Sequence, residues 1–171
     1  MLLTQIIEED FTNYKKPAIL LAFPICSFKC GKELCHNYSQ QVNTVEIDIP
    51  VLVQRYLNNP ITTSVVCSGL EPFDSFKDLF AFIKELRKYT NDDVVIYTGY
   101  TKDELLTSYG YFYAENEIPL TQPEAYYKLR QLPNIIVKYG RYLPNHQKHL
   151  DDILGVMLAS DNQYAEIISK R

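Results

Sequence analysis

The stretch AILLAFPICSFKCGKELCHN, residues 18–37, decides how the rest of the chain is read. Its first six residues are a short continuous apolar run, which reads as a buried strand. Three of the chain's four cysteines, Cys26, Cys30 and Cys35, then fall within ten positions, and His36 follows directly. A strand that opens into a thiol-rich loop poses two problems: which sheet receives the strand, and what the thiols hold.

Working outward, the segments alternate. Asp48 and Pro50 open a helix-like IPVLVQRYLNN, with Asp48 at the cap and Pro50 in the first turn. TSVVCS (63–68) is a second strand, rich in β-branched residues. From Ser75 the period changes: Phe76, Leu79, Phe80, Ile83 and Leu86 recur at three and four, an amphipathic helix ending near Thr90. DVVIYTG (93–99) is a third strand, and a helix starts at Thr101, where Thr101 and Glu104 have capping-box spacing and Gly110 suits the stop. A short helix over 123–131 precedes NIIVK (134–138), a fourth strand. Apolar strands separated by helices predict βαβ units and a parallel sheet within a single α/β domain, residues 1–171. Ligands of such folds bind beyond the carboxyl ends of the strands. The cysteine loop, the SGLEP turn (68–72) and the YTGY turn (97–100) would then share one rim.

Composition narrows the function. The 171 residues are 46% hydrophobic and 22% charged, with 17 basic against 21 acidic side chains and a net charge of −4. No basic footprint for nucleic acid exists, and no apolar run reaches the roughly 18 residues of a membrane helix. MLLTQIIEEDF lacks the basic start and cleavage site of a secretory signal, so a cytoplasmic chain is expected. Thiols in that compartment stay reduced, and a local cluster reads as metal-binding or catalytic before it reads as disulfides. Cys67, alone between apolar neighbours in SVVCSG, reads as a small core thiol.

Two metal readings compete for the loop. Three thiolates and His36 would complete a tetrahedral zinc site in a non-catalytic binding or regulatory domain, although structural zinc ligands usually come as two separated pairs. An iron–sulfur cluster held by three cysteines would leave one iron open to substrate, and His36 would then need no ligand role. YGYFY (109–113), followed by AENEIP, is unusually aromatic and suits either a partner-docking patch or a helix end tucked onto the core.

The cysteine loop resembles the Cys-x3-Cys-x2-Cys signature of the radical S-adenosylmethionine (SAM) enzymes, here as Cys-x3-Cys-x4-Cys. CSGLEPF (67–73) is similar to that family's strand-end Ser-Gly-Gly-Glu-Pro, with Leu70 in place of the second glycine. VIYTGYTKDEL (95–105) resembles the branch that activates anaerobic ribonucleoside-triphosphate reductase. VKYGRYLPN (137–145) is similar to that branch's Val-Asp-Gly-Arg-Phe, with Lys138 and Tyr139 in the Val-Asp places. SDNQY (160–164) resembles its late Ser-Ser-Asn-Gln-Arg.

The resemblance implies a small incomplete (βα) barrel or open parallel sheet of the radical SAM type. It implies a [4Fe–4S] cluster on Cys26, Cys30 and Cys35, with SAM chelating the fourth iron. Ser68, Gly69 and Glu71 would hold the methionine end of SAM, and Thr98 and Gly99 would admit its nucleoside. Asn162 and Gln163 could donate hydrogen bonds nearby, while Tyr97 and Tyr100 read as packing. The implied activity is reductive cleavage of SAM to make a glycyl radical on the partner subunit of anaerobic ribonucleotide reductase. An electron donor such as flavodoxin or ferredoxin would supply the reductant, and a small radical SAM enzyme with another target is the nearest alternative.

Overall fold

The computed structural model describes residues 1–35, 43–113 and 118–169. Within them, four strands lie side by side and parallel: β3 (Ala18–Phe23), β5 (Ser64–Gly69), β6 (Asp93–Tyr97) and β9 (Ile135–Tyr139). Antiparallel edge strands flank them, β2 (Gln5–Asp10) beside β3 and β12 (Tyr164–Ile167) beside β9. The result is an open, mixed six-stranded sheet, with no closed barrel. Three short antiparallel pairs surround it: β1 (Leu2–Leu3) with β4 (Val45–Glu46), β7 (Tyr111–Tyr113) with β8 (Pro119–Thr121), and β10 (His149–Asp151) with β11 (Val156–Leu158).

The parallel strands follow one another across the sheet in chain order. Each crossover therefore advances in the same direction, and with the usual handedness every connecting helix falls on one face. The side chains agree. Ile19, Leu21, Phe23, Val65, Cys67, Val94, Ile96, Val137 and Tyr139 face α1 (Ile49–Leu57), α2 (Phe76–Leu86), α3 (Lys102–Thr107) and α4 (Gln122–Arg130) in the larger core. Alternate residues Ala18, Leu20, Ala22, Val66, Val95 and Ile136 face the other way, onto Tyr14, Leu154 and Leu158. Burial on both faces is why β3 is an unbroken apolar run and the other parallel strands are largely apolar.

Local signals set the helices. Pro50 lies in the first turn of α1, and Asp48 takes the cap position without a side-chain cap bond. Thr101 and Glu104 form a reciprocal capping box, and Thr121 and Glu124 form a second. α3 ends at Thr107, three residues before Gly110, and α2 ends at Leu86, short of Thr90. Beneath the carboxyl rim, Phe112 sits between the rings of Phe73, Phe76 and Tyr100, with centroids 5.7, 6.0 and 5.8 Å away. The aromatic YGYFY stretch thus splits: Phe112 belongs to the core, while Tyr109, Tyr111 and Tyr113 are exposed. Residues 114–117 of the following AENEIP lie outside the described residues.

β3 and β5 pair to their last residues, Phe23 against Gly69. Gly69 has φ +95°, and a Cβ there would meet the Phe23 amide nitrogen at 2.5 Å and Ala22 backbone carbons at 2.8 Å. Backbone, unlike a side-chain tip, cannot step aside. Gly69→Ala should therefore lower unfolding free energy by at least about 2 kcal/mol. Gly99, where the nearest atom to a built Cβ is the flexible Arg141 Cγ at 3.4 Å, should tolerate alanine at a cost below about 1 kcal/mol. Denaturant midpoints of the two variants test the contrast.

Candidate metal centre

The parallel strands deliver their loops to one rim, and backbone bonds continue the pairing beyond the sheet. Leu70 N–H donates to Phe23 O at 3.1 Å and Glu71 N–H donates to Ile25 O at 3.0 Å. The start of the cysteine loop is thereby fastened to the SGLEP turn. From Pro24 to Cys30 exposure alternates, with Cys26, Phe28 and Cys30 half-buried and Ile25, Ser27 and Lys29 exposed. Phe28 has a positive φ of 51° and its N–H points to Cys26 Sγ at 3.2 Å. Burial pushes the Cys26 thiol up to about 11; the Phe28 N–H opposes this, and the charges of Glu71 and Asp74 add to it. A short 3₁₀ turn, Lys32–Leu34, fills the gap between Cys30 and the half-buried Cys35.

All four cysteines are free thiols. Cys67 differs from the others: it is fully buried in β5 facing the helices, and burial pushes its thiol far up. It has the core role its apolar neighbours suggest. His36 lies outside the described residues. Among the described residues, no three Cys, His, Asp or Glu side chains are gathered as a metal site, so the loop thiols do not converge on one point. Metal binding itself supplies the energy that draws such ligands together.

Glu71 is the centre of the rim. Its carboxylate, only 4% exposed, accepts Phe73 N–H at 3.1 Å and the Thr98 hydroxyl at 2.8 Å on one oxygen, and Gly99 N–H at 2.8 Å on the other. One side chain thus caps its own 3₁₀ turn and fastens the YTGY turn to it. Burial pushes the Glu71 carboxyl up to about 7; the Gly99, Thr98 and Phe73 donors oppose this and the Asp74 charge adds to it. Thr98 is consumed in the same knot, donating to Glu71 and accepting Tyr100 N–H at 3.0 Å. Ser68 and Gly69 stand half-buried at the end of β5. Gly69 lies against the backbone of the neighbouring strand at Ala22 and Phe23.

The last two segments brace the rim. Lys138, only 6% exposed, donates to Gly140 O at 2.8 Å, with Nζ 5.7 Å from the Tyr97 ring centroid. Burial pushes its ammonium down to about 8, partly offset by the Glu71 charge. Gln163 also donates to Gly140 O at 3.1 Å, and Asn162 donates to Arg141 O at 2.9 Å. Both hold the turn after β9, and neither reaches the thiol loop through these bonds. Tyr97 donates to Asn13 O at 2.6 Å. A groove of about 860 Å³ opens beside the cysteine loop, with Cys26, Asp74, Asp78, Tyr111 and Tyr113 among its lining residues.

A family model described as a 4Fe-4S single cluster domain matches residues 18–122. That stretch is more than half of the chain. The chain belongs to this family. As a 4Fe-4S single cluster protein it selects the iron–sulfur cluster over zinc, and the match runs from β3 through the thiol loop and Glu71 to the start of α4. The thiol loop suits the group chemically: three free, half-buried cysteines on one stretch are the soft donors an iron–sulfur cluster takes. No match was found among curated proteins or among solved structures. Among the described residues, no helix is long and apolar enough to cross a membrane.

The buried carboxylate makes a pH-dependent prediction for the cluster-free protein. Folded, Glu71 keeps its proton up to about pH 7; unfolded, it loses it near 4.5. Its stabilising contribution is complete below pH 4.5 and is lost as the pH rises through 7. Relative to Glu71→Gln, the wild type should lose up to about 1.4 kcal/mol per pH unit across that window. Urea unfolding of both proteins at pH 4.5, 5.5, 6.5 and 7.5 measures it.

Proposed function

We propose that the chain is a radical SAM activase of glycyl-radical type, with Cys26, Cys30 and Cys35 as the cluster ligands. One observation carries this reading. The sequence has four cysteines, and Cys67 is sealed in the core, so the accessible thiols number three. A four-iron cluster on three thiolates keeps one iron for an exogenous ligand, the analogue of an open catalytic zinc position. That the thiols leave the carboxyl end of a parallel strand, where α/β folds bind their ligands, supports the same reading.

When bound, the cluster supplies an electron that cleaves the sulfonium bond of SAM and so starts abstraction of a hydrogen from a partner's glycine. The chain's own residues then have defined tasks. Glu71 spends both oxygens on Phe73, Thr98 and Gly99, so its task is to hold two turns in register rather than to pair with the methionine ammonium. Ser68 and the backbone at Gly69 and Leu70 border the methionine end. Gly99, with no side chain, leaves room for the nucleoside. The fold is then a small, open relative of the radical SAM type. The glycyl-radical subunit of anaerobic ribonucleotide reductase is the partner that the YTGYTKDEL segment favours, with flavodoxin or ferredoxin as the electron source.

Anaerobic iron and sulfide analysis coupled to 5′-deoxyadenosine formation from SAM and reductant tests the proposal. Cys26→Ala, Cys30→Ala and Cys35→Ala should each lose the cluster and reduce 5′-deoxyadenosine formation at least 100-fold. Cys67→Ala should retain both, while losing about 1 kcal/mol of stability or less. A colourless protein holding one zinc and no iron would refute the activase.

A further inference from the structure

Asp74 lies three residues beyond Glu71 and is half-buried at the inner edge of the rim. One carboxylate oxygen accepts Ser27 N–H at 2.6 Å, and the other accepts the Tyr100 hydroxyl at 2.7 Å. Ser27 immediately follows Cys26. The bond therefore pins the chain at the first thiol to the 3₁₀ turn that follows SGLEP. Tyr100 is itself clamped: its ring carries the Lys29 ammonium at 4.6 Å, three residues past Cys26. Its amide donates to Thr98 in the Glu71 knot. Burial raises the Tyr100 phenol well above its ordinary range, and the bond to Asp74 raises it further, so it stays a donor to this carboxylate. Asp74 also lines the same groove as Cys26.

We propose that Asp74 is a positioning residue for the iron–sulfur cluster: it fixes the Cys26 end of the loop through Ser27 and Tyr100, and its carboxylate holds the cluster's reduction potential low. This rests on Cys26 being a ligand. The physical cause is electrostatic. A cluster on three thiolates gains negative charge on reduction, and a fixed carboxylate nearby makes that gain harder; charge, hydrogen bonds and exposure are what set such potentials. Asp74 also takes the Ser27 amide for itself, leaving the Phe28 amide as the donor aimed at Cys26 Sγ.

The test is a redox titration of the reconstituted full-length protein, followed by electron paramagnetic resonance, in four variants. Asp74→Asn keeps an oxygen acceptor and removes the charge. It should hold iron at the wild-type ratio and, at the wild-type midpoint, raise the reduced-to-oxidised ratio about tenfold, a shift of about +59 mV for one electron. Tyr100→Phe removes a hydrogen bond but keeps the charge, and should not raise the potential. Equal upward shifts in Asp74→Asn and Tyr100→Phe, or no shift in Asp74→Asn, overturn the proposal. Should Asp74→Asn hold no cluster, Asp74→Glu decides: a cluster at the wild-type potential supports the charge role, and loss there too overturns it. Cys26→Ala separates the ligand assignment from the role of Asp74. A cluster that survives it overturns the ligand assignment, whereas a cluster-free Cys26→Ala beside an unshifted Asp74→Asn overturns the role of Asp74 alone.

Discussion

The parallel pairing of β3 with β5 governs the functional end of the molecule, because it is carried to the last possible residue. At Phe23 and Gly69 the backbones approach so closely that a Cβ would strike an amide nitrogen. Past that point two more bonds, from Leu70 and Glu71 to Phe23 and Ile25, keep the chains together as the sheet ends. The thiol loop consequently has a root and a span that are held in different ways. Its root is backbone-bonded; its span is held by a carboxylate, a ring and one helical turn.

This arrangement concentrates costly groups at one rim. A carboxyl and an ammonium, Glu71 and Lys138, are both more than nine-tenths buried. Each is raised or lowered toward neutrality by loss of water, as burial of a charge without a bonded counter-ion requires. Glu71 is tolerated because three donors from two turns converge on it, which offsets much of the desolvation. Lys138 has a carbonyl and an aromatic face. The stability of the rim is thus tied to keeping two sequence-distant turns in register, and that same register gives the rim its shape.

How legible this was in the sequence depends on how local each cause is. AILLAF is a strand over the same six residues in both readings, because burial on both faces leaves an unbroken apolar run. The Thr101–Glu104 cap is a contact within four residues and is equally readable. The edge strands QIIEED and YAEI escaped notice, since one-sided burial and charged positions blur their pattern. Glu71 stood out as a strand-end carboxylate. Nothing local said that its partners would be Thr98 and Gly99, 27 and 28 residues away. Asp74 gave no signal at all; its role arises only because Ser27, 47 residues earlier, and Tyr100, 26 later, meet at one rim.

The gap between Cys30 and Cys35 shows how local geometry can absorb a departure in spacing. Two residues more than the radical SAM pattern would, if extended, add roughly 6–7 Å to the reach between those thiols. The chain instead winds Lys32–Leu34 into a 3₁₀ turn, closed by Cys35 N–H on Lys32 O at 3.2 Å. A 3₁₀ turn advances only about 2 Å per residue, so the added length is taken up sideways. Gly31, at φ +87°, supplies the sharp entry that a residue with a side chain would adopt only under strain. The turn thus shortens the path from Cys30 to Cys35 relative to an extended segment of the same length. What the extra residues change is the outer surface of the loop, where Lys32 and Glu33 now stand exposed.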